Sequence, residues 1–334
     1  MSSLASFARS YASAQRRSQR IQKANTREAL REYKAQEKAN AVQTNMDIVK
    51  NYDELVDSLT NMHREIIHPI NWMDVLEEPE PVLPQPGRIT EQVAQDALHL
   101  YTPSFFDKLF AQQKKKVKKL TAELDIAKKN DERSYQAALE AHTAEKTEWT
   151  TMQTLAKGIL QRDTAIYKQV VEKLIPYASL PIGKNLAIVF DPLHITVDLL
   201  LNLDEVIPQT AYSLTSTGKL SEKKISVSRR NDLYKDHVCS SMLRTAIEII
   251  TVLPVEFVVV NGLLDMLNPA NGKLQEQPAA SIAFVPETLL KLNLPATDPS
   301  DAFKNFIHHM RFSKTNGFQP VDRIDAKTLV ITTS

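Results

Sequence analysis

Apolar residues recur at heptad spacing over the first long segment of the chain. One series is Val42, Val49 and Val56, and the other is Tyr52, Leu59 and Ile66, with Asn45 and His63 completing them. Such a seam is typical of a helix that packs against a partner helix. Residues 1–68 contain neither Gly nor Pro, so the sequence predicts one helix that continues until Pro69.

A second long segment, residues 104–175, contains no Pro and one Gly. Its apolar stripe consists of Val117, Leu120, Leu124 and Ala127, and it resumes at Met152, Leu155 and Ile159 after a polar middle. Residues 77–88 hold four prolines and cannot be helical, so they are interpreted as an extended connector. The pattern predicts a long antiparallel helical hairpin, a coiled-coil arm over residues 1–175. A compact helical bundle is the alternative.

After Pro176 the pattern changes to that of strands. Residues 186–191 and 194–202 are short and β-branched, and residues 255–267 and 279–285 flank an Asn-Gly turn, so they predict a β-hairpin. Residues 232–253 have helical periodicity, and Asp298 is placed to cap a last helix through Met310. Residues 176–334 are therefore expected to form an α+β domain, a small mixed or antiparallel sheet with helices on one face.

Composition narrows the class of protein. A net charge of +1 with 43% hydrophobic residues excludes an acidic disordered chain and a globally basic nucleic-acid binder. The single cysteine, Cys239, indicates a buried thiol in a reducing cytoplasm. The longest apolar stretch, residues 246–267, contains Glu248, Glu256 and Asp265, so no transmembrane span is expected.

Motifs for cofactors and catalysis are sparse. The glycines are too far apart for a phosphate-binding loop, and His237 and Cys239 are too close on one helix to share a zinc ion. We therefore expect no cofactor. A metal-dependent nuclease could use Asp191, Asp198 and Glu276, but Gln277 and Pro278 stand where its lysine would follow. His308 and His309 are adjacent on the expected last helix, which favours one packed and one exposed side chain over a shared site.

Cations are concentrated in three places. Residues 1–27 carry a local charge of +6, from Arg9, Arg16, Arg17, Arg20, Lys23 and Arg27, with no acidic residue before Glu28. Such a basic helix end can contact nucleic acid, membrane phosphate or an acidic partner, and a merely solvated helix end is the alternative. Five lysines between Lys114 and Lys119 fit the solvated faces of a coiled coil. Residues 219–244 have seven basic and three acidic residues, a local +4, although residues 176–334 have 15 basic and 16 acidic residues, a total of −1.

The third concentration is the predicted binding surface for an anion or partner. Its residues are Lys219, Lys223, Lys224, Arg229, Arg230 and Arg244, joined by Arg311 and Lys314 after the expected last helix. Gly218 allows a sharp turn, and a cationic loop that leads into a helix start suits phosphate or a carboxylate-bearing partner. Asp232 as an ordinary helix cap is an equally simple interpretation of the helix start.

Several strings together carry a resemblance over almost the whole chain. They are LTNMHREIIHPINW (59–72), YTPSFFDKLF (101–110), SLTSTGKLSEKK (213–224), DLYKDHVCSSMLR (232–244) and DPSDAFKNFIHHMRFSKTNGFQPV (298–321). The chain resembles a bacterial protein family built as a coiled-coil arm followed by a C-terminal domain of this kind. The resemblance implies a bacterial cytosolic protein and carries no assigned activity.

Two functional hypotheses follow. The first is a non-catalytic bacterial assembly or adaptor protein, whose coiled-coil arm binds a protein partner or a second copy and carries an α+β interaction domain. The alternative is a nucleic-acid-directed effector, such as a nuclease of a host-defence system, that uses the basic loop at residues 219–244.

Overall fold

The computed structural model describes residues 2–65, 67–103, 112–175, 185–201, 206–268 and 271–333. The chain forms two compact units. The first contains Met1–His68, Ile175–Thr251 and Val255–Ser334, and the second contains Pro69–Leu174 and Val252–Pro254. Within the described ranges, no helix combines the length and the apolar character needed to cross a membrane.

The first unit begins with helix α1, Ser2–Thr60, which is unbroken because Gly and Pro are absent. Its residues 20–41 are exposed on every side, and covered positions begin at Val42. Of the predicted seam, Val49, Tyr52 and Val56 are half-buried and Leu59 is buried. Ile66 lies outside the described residues.

The second unit is built on helix α4, Gln113–Leu160, along which the preceding chain runs in the opposite direction. That preceding chain consists of α2 (Trp72–Glu77), the Pro-rich segment and α3 (Ile89–His99). The side chain of Gln153 donates to the Val75 carbonyl at 2.6 Å, and Trp149 donates to the Glu78 carbonyl at 3.0 Å. The hydroxyl of Thr90 donates to the Ala127 carbonyl at 3.1 Å. The Pro-rich segment is extended, as predicted, and it covers α4 as well as connecting two helices.

The predicted long helix over residues 104–175 is interrupted. Residues 104–111 lie outside the described part of the chain, and α4 ends at Leu160, before a separate helix α5 (Thr164–Leu174). Arg162 has φ of 56° in the intervening turn. Leu120 and Leu124 are half-buried on α4, whereas Val117 is 38% exposed and Lys114, Lys115, Lys118 and Lys119 are solvated.

The rest of the first unit is a six-stranded mixed sheet with the order β1-β2-β5-β6-β7-β8. The strands are β1 (Asn185–Phe190), β2 (His194–Leu200), β5 (Phe257–Asn268), β6 (Lys273–Phe284), β7 (Ile307–Ser313) and β8 (Gly317–Gln319). Strands β2 and β5 are parallel, and the other neighbours are antiparallel. The crossover between β2 and β5 contains the hairpin of β3 (Thr210–Leu214) and β4 (Leu220–Lys224), followed by helix α6 (Val227–Val252). The predicted β-hairpin at the Asn-Gly turn is confirmed as β5 and β6.

Helices cover both faces of this sheet, so the prediction of helices on one face is wrong. Gly262 of β5 faces α6, where an added Cβ would lie 2.8 Å from the sulfur of Met242. On the opposite face, Phe257 and Val259 form a core cluster with Ile324 and with Ala326 of helix α9 (Ala326–Thr333). A strand covered on both faces is apolar at consecutive positions, as residues 257–260 are.

Two predicted helix boundaries are also wrong. The Asp298 side chain accepts from the backbone N–H groups of Ser300 and Asp301, as a cap should, but its helix, α8, covers only Pro299–Ala302. Residues 307–313 are strand β7, because their side chains alternate between the two faces. Helix α6 begins at Val227 rather than at Asp232, and the Ser226 hydroxyl accepts from the N–H of Arg229 at 3.3 Å. A further one-turn helix, α7 (Pro286–Leu289), follows β6.

Candidate anion-binding surface

The basic loop of the sequence is a two-stranded antiparallel hairpin, β3 and β4. Its turn closes with the Gly218 N–H donating to the Thr215 carbonyl at 2.9 Å, and the Lys219 N–H donates to the Thr215 hydroxyl at 3.1 Å. Gly218 has φ of 76°, a left-handed conformation that glycine adopts without strain. The segments TAYSL and LSEKK, on either side of a Thr-Ser-Thr-Gly turn, form these strands. They were not predicted, because neither segment alternates between apolar and polar residues.

The hairpin lies on the covered face of α1. Asn45 donates from its side-chain amide to the Gly218 carbonyl at 3.0 Å, and the rings of Tyr52 and Tyr212 meet edge to face at 5.8 Å between centroids. Leu59 is buried in a cluster with Ile207, Ile225 and Leu233. The α1 face that was expected to meet a partner helix is therefore occupied by the hairpin and the start of α6 in its own unit.

Four of the predicted cations belong to this hairpin and to the helix start that follows it. Lys219, Lys223, Lys224 and Arg229 are exposed, and none of them forms an ion pair with a carboxylate of the described chain. Arg229 acts electrostatically on Tyr52 of α1: burial raises the pKa of the Tyr52 phenol, and the Arg229 charge opposes that rise. Arg229, in the first turn of α6, therefore lies beside α1.

The remaining predicted cations contribute less to an exposed anion site. Arg230 is half-buried, with its guanidinium 5.0 Å from the centroid of the Tyr234 ring. Lys314, in the turn after β7, pairs with Asp232 at 3.1 Å. Arg311 is exposed on β7, where it lines a shallow cleft.

Arg244 is a structural cation, which corrects its assignment to the anion-binding surface. Its guanidinium donates to Glu248 at 2.7 Å and to Glu65 at 2.6 Å, and the Arg244 and Glu248 side chains are only 6% and 4% exposed. Burial raises the pKa of the Glu248 carboxyl, and the Arg244 charge and hydrogen bond oppose that shift. Arg244 therefore forms an ion pair with a buried carboxylate of its own helix, α6.

The three carboxylates of the nuclease hypothesis lie in different parts of the sheet. Asp191 accepts from the Leu193 N–H at 2.9 Å in the β1–β2 turn, whereas Asp198 lies in the middle of β2. Glu276 is paired with Asp265 of β5, whereas Asp198 is paired with Asn261 of the same strand. Asn261 and Asp265 are four residues apart, which corresponds to about 13 Å along the strand. Within the described chain, no three His, Cys, Asp or Glu side chains form a possible metal site.

A polar row across the sheet was not recognised in the sequence. Asn261 donates to Asp198 at 2.8 Å and accepts from the Ser281 hydroxyl at 2.6 Å. Arg323 donates to Asp198 at 2.8 Å, and the Ile324 N–H donates to the Ser281 hydroxyl at 2.9 Å. The row therefore attaches the C-terminal segment to the sheet, and its members could be found only from the strand register.

The histidines and the cysteine also have structural partners. His308 is half-buried and His309 is exposed, as expected, and each ring contacts a backbone carbonyl. Buried His63 contacts the Ser240 hydroxyl at 2.9 Å, and burial lowers the pKa of its ring. Cys239 is buried, as predicted, and burial strongly raises the pKa of its thiol, which disfavours the reactive thiolate.

The fold and the surface define a mixed α+β protein with a long N-terminal helix and a cationic hairpin on that helix. Comparisons with protein-family models, with curated proteins and with solved structures find no match to this chain.

Proposed function

We propose that the protein is a non-catalytic assembly or adaptor protein whose first unit binds an anionic partner through the β3–β4 hairpin. The contrast between two groups of cations carries this proposal. Lys219, Lys223 and Lys224 are exposed within six residues of one hairpin and lack a carboxylate partner in the described chain. Arg244 and Arg323 of the same unit are held in ion pairs, and other exposed lysines of the unit, such as Lys291, are isolated along the sequence.

This arrangement favours recognition of an anion over stabilisation of the fold. Exposed cations without partners contribute little to stability, but together they produce a positive potential that attracts anions and speeds their association. The hairpin strands are short and rest on α1, so the charges are presented on a fixed support. Binding of this kind needs no reacting group, which agrees with the structural use of the histidines and of Asp198.

The single buried thiol supports a reducing cytoplasm as the site of action. The nucleic-acid-directed effector differs from the adaptor in requiring a chemical step, and no cluster among the described carboxylates favours it.

Reversal of the hairpin charges tests the proposal. Lys219→Glu, Lys223→Glu and Lys224→Glu, combined in one variant, are expected to lower the affinity for heparin at about 0.1 M salt by roughly tenfold to a hundredfold, because up to three counterion-releasing contacts are lost. The measurement is the elution salt on immobilised heparin, supported by titration calorimetry. The melting temperature should remain close to that of the wild type, because these side chains are exposed.

A matched control distinguishes the loss of the hairpin surface from the change in net charge. Lys273→Glu, Lys291→Glu and Lys327→Glu change three exposed lysines of the same unit by the same total charge. The control variant should elute near the wild type. Equal loss in both variants, or no salt-dependent retention of the wild type, would contradict the proposed function.

A further inference from the structure

The exposed part of α1 carries a continuous basic stripe. Between Arg20 and Lys38, cations occur at successive intervals of three or four residues, within an arc of about 80° around the helix axis. They are Arg20, Lys23, Arg27, Arg31, Lys34 and Lys38, and all are exposed. Glu28, Glu32 and Glu37 lie outside this arc. The stripe is about 27 Å long, since each residue adds about 1.5 Å.

The residues on this arc of α1 change in character along the helix. From Val49 to Leu59 its residues are apolar or aromatic and lie against the hairpin and α6. From Arg20 to Lys38 it is entirely cationic and exposed. Asn45, seven residues after Lys38 on this arc, binds the hairpin turn at Gly218, directly before Lys219. The stripe therefore leads to the cations of the hairpin and extends the same surface.

Like charges at this spacing are unfavourable for the free helix. Lys23 with Arg27, Arg27 with Arg31, and Lys34 with Lys38 are four residues apart, so their side chains repel one another on neighbouring turns. An anion that spans several turns would relieve this repulsion.

The composition of the helix distinguishes between classes of anionic partner. A membrane-surface helix needs an apolar face opposite its cations, but the opposite face here contains Gln22, Asn25, Ala29 and Gln36. The exposed apolar side chains of this stretch, Ile21, Leu30 and Tyr33, are spread around the helix and form no common face. A partner helix would need an apolar seam beside the charges, and the heptad positions before Val42 include Lys38, Arg31 and Glu28. A straight row of cations with arginines among them instead matches a regularly charged phosphate backbone.

We propose that the basic stripe of α1 binds the phosphodiester backbone of a double-stranded nucleic acid, with the β3–β4 hairpin extending the contact. The inference rests on the proposed function and names its partner. A helix is about 10–12 Å in diameter, which fits the major groove of B-DNA at about 12 Å, so the stripe can contact phosphates along one groove wall. Recognition through phosphates alone is independent of base sequence.

Anisotropy of a labelled 24-base-pair duplex tests the inference, with DNA and RNA duplexes as separate arms. The groove fit predicts tighter binding to the DNA duplex, because the major groove of an RNA duplex is deep and narrow. The stripe variant combines Arg27→Gln, Arg31→Gln and Lys34→Gln, which keep good helix formers at exposed positions. Its affinity should fall at least tenfold at about 0.1 M salt, and the slope of log affinity against log salt should become shallower by about three. Circular dichroism should match that of the wild type.

A relocated variant tests the geometry at constant net charge. It adds Gln22→Arg, Asn25→Lys and Gln36→Lys on the opposite face to the three stripe substitutions, and it should remain about tenfold weaker than the wild type, because one groove wall contacts one helix face.

Wild-type affinity in the relocated or stripe variant would overturn the inference. So would tighter binding to polyglutamate or to phosphatidylserine vesicles than to either duplex. If the hairpin variant loses heparin affinity while the stripe variant keeps full duplex affinity, the proposed function stands and this inference fails.

Discussion

Leu59→Asp is expected to destabilise the first unit by more than about 4 kcal/mol. Leu59 is only 2% exposed, in a cluster with Ile207, Ile225 and Leu233. The substitution removes a buried apolar side chain and places a carboxylate in an apolar cluster. Both changes lower the free energy of unfolding. Val49→Asp and Val56→Asp should act in the same direction with smaller effects, because those residues are only half-buried.

Leu55→Asp is the matched control for this prediction. Leu55 lies one turn earlier on α1 but is 44% exposed, so the same chemical change should cost less than about 1 kcal/mol. Urea unfolding followed by circular dichroism measures both variants. Equal destabilisation by the two substitutions would mean that the covered face of α1 has been assigned incorrectly.

Arg244→Met is expected to cost about 3–5 kcal/mol, because it leaves the Glu248 carboxylate buried without its partner. The added substitution Glu248→Leu should recover much of this loss, since it removes the uncompensated charge. A double-mutant cycle from urea unfolding gives the interaction energy. A double variant as unstable as Arg244→Met would show that packing of the arginine stem, not charge pairing, is the main contribution.

The free energy of unfolding of the Arg244→Met variant should also depend on pH in a defined direction. Burial already raises the pKa of Glu248 above its ordinary value of 4.5, and loss of Arg244 removes the charge that opposes this shift. A carboxyl whose pKa is higher in the folded state binds protons more tightly there than when unfolded. The stability deficit of the variant should therefore be smallest at and below about pH 4.5 and grow as the pH rises through the folded-state pKa.

Local pattern was sufficient for much of the fold. The β5–β6 hairpin follows from two apolar runs on either side of Asn-Gly, and the unbroken α1 follows from the absence of Gly and Pro. The heptad spacing identified Tyr52 and Leu59 as residues with covered side chains. These features depend on periodicity and turn chemistry, which are properties of neighbouring residues.

Features that depend on residues far apart in the chain could not be predicted from local sequence pattern. Periodicity gives the covered face of α1, but it cannot distinguish a helix from the β3–β4 hairpin as the element that covers it. Arg244 differs from Lys224 only through Glu65 and Glu248, and the Glu65 contact joins residues 179 apart in the chain. The polar row at Asn261 likewise requires the register of three strands.

Hydrogen exchange with and without heparin tests the central claim most directly, because it reports where an anion covers the first unit. Exposed helical turns with few tertiary contacts open readily and exchange quickly. We expect bound heparin to slow exchange in residues 20–41 of α1 and in residues 210–224 of the hairpin, with no change in the β5–β6 core. Unchanged exchange in both segments, or slowing confined to the cleft lined by His309 and Arg311, would contradict the account.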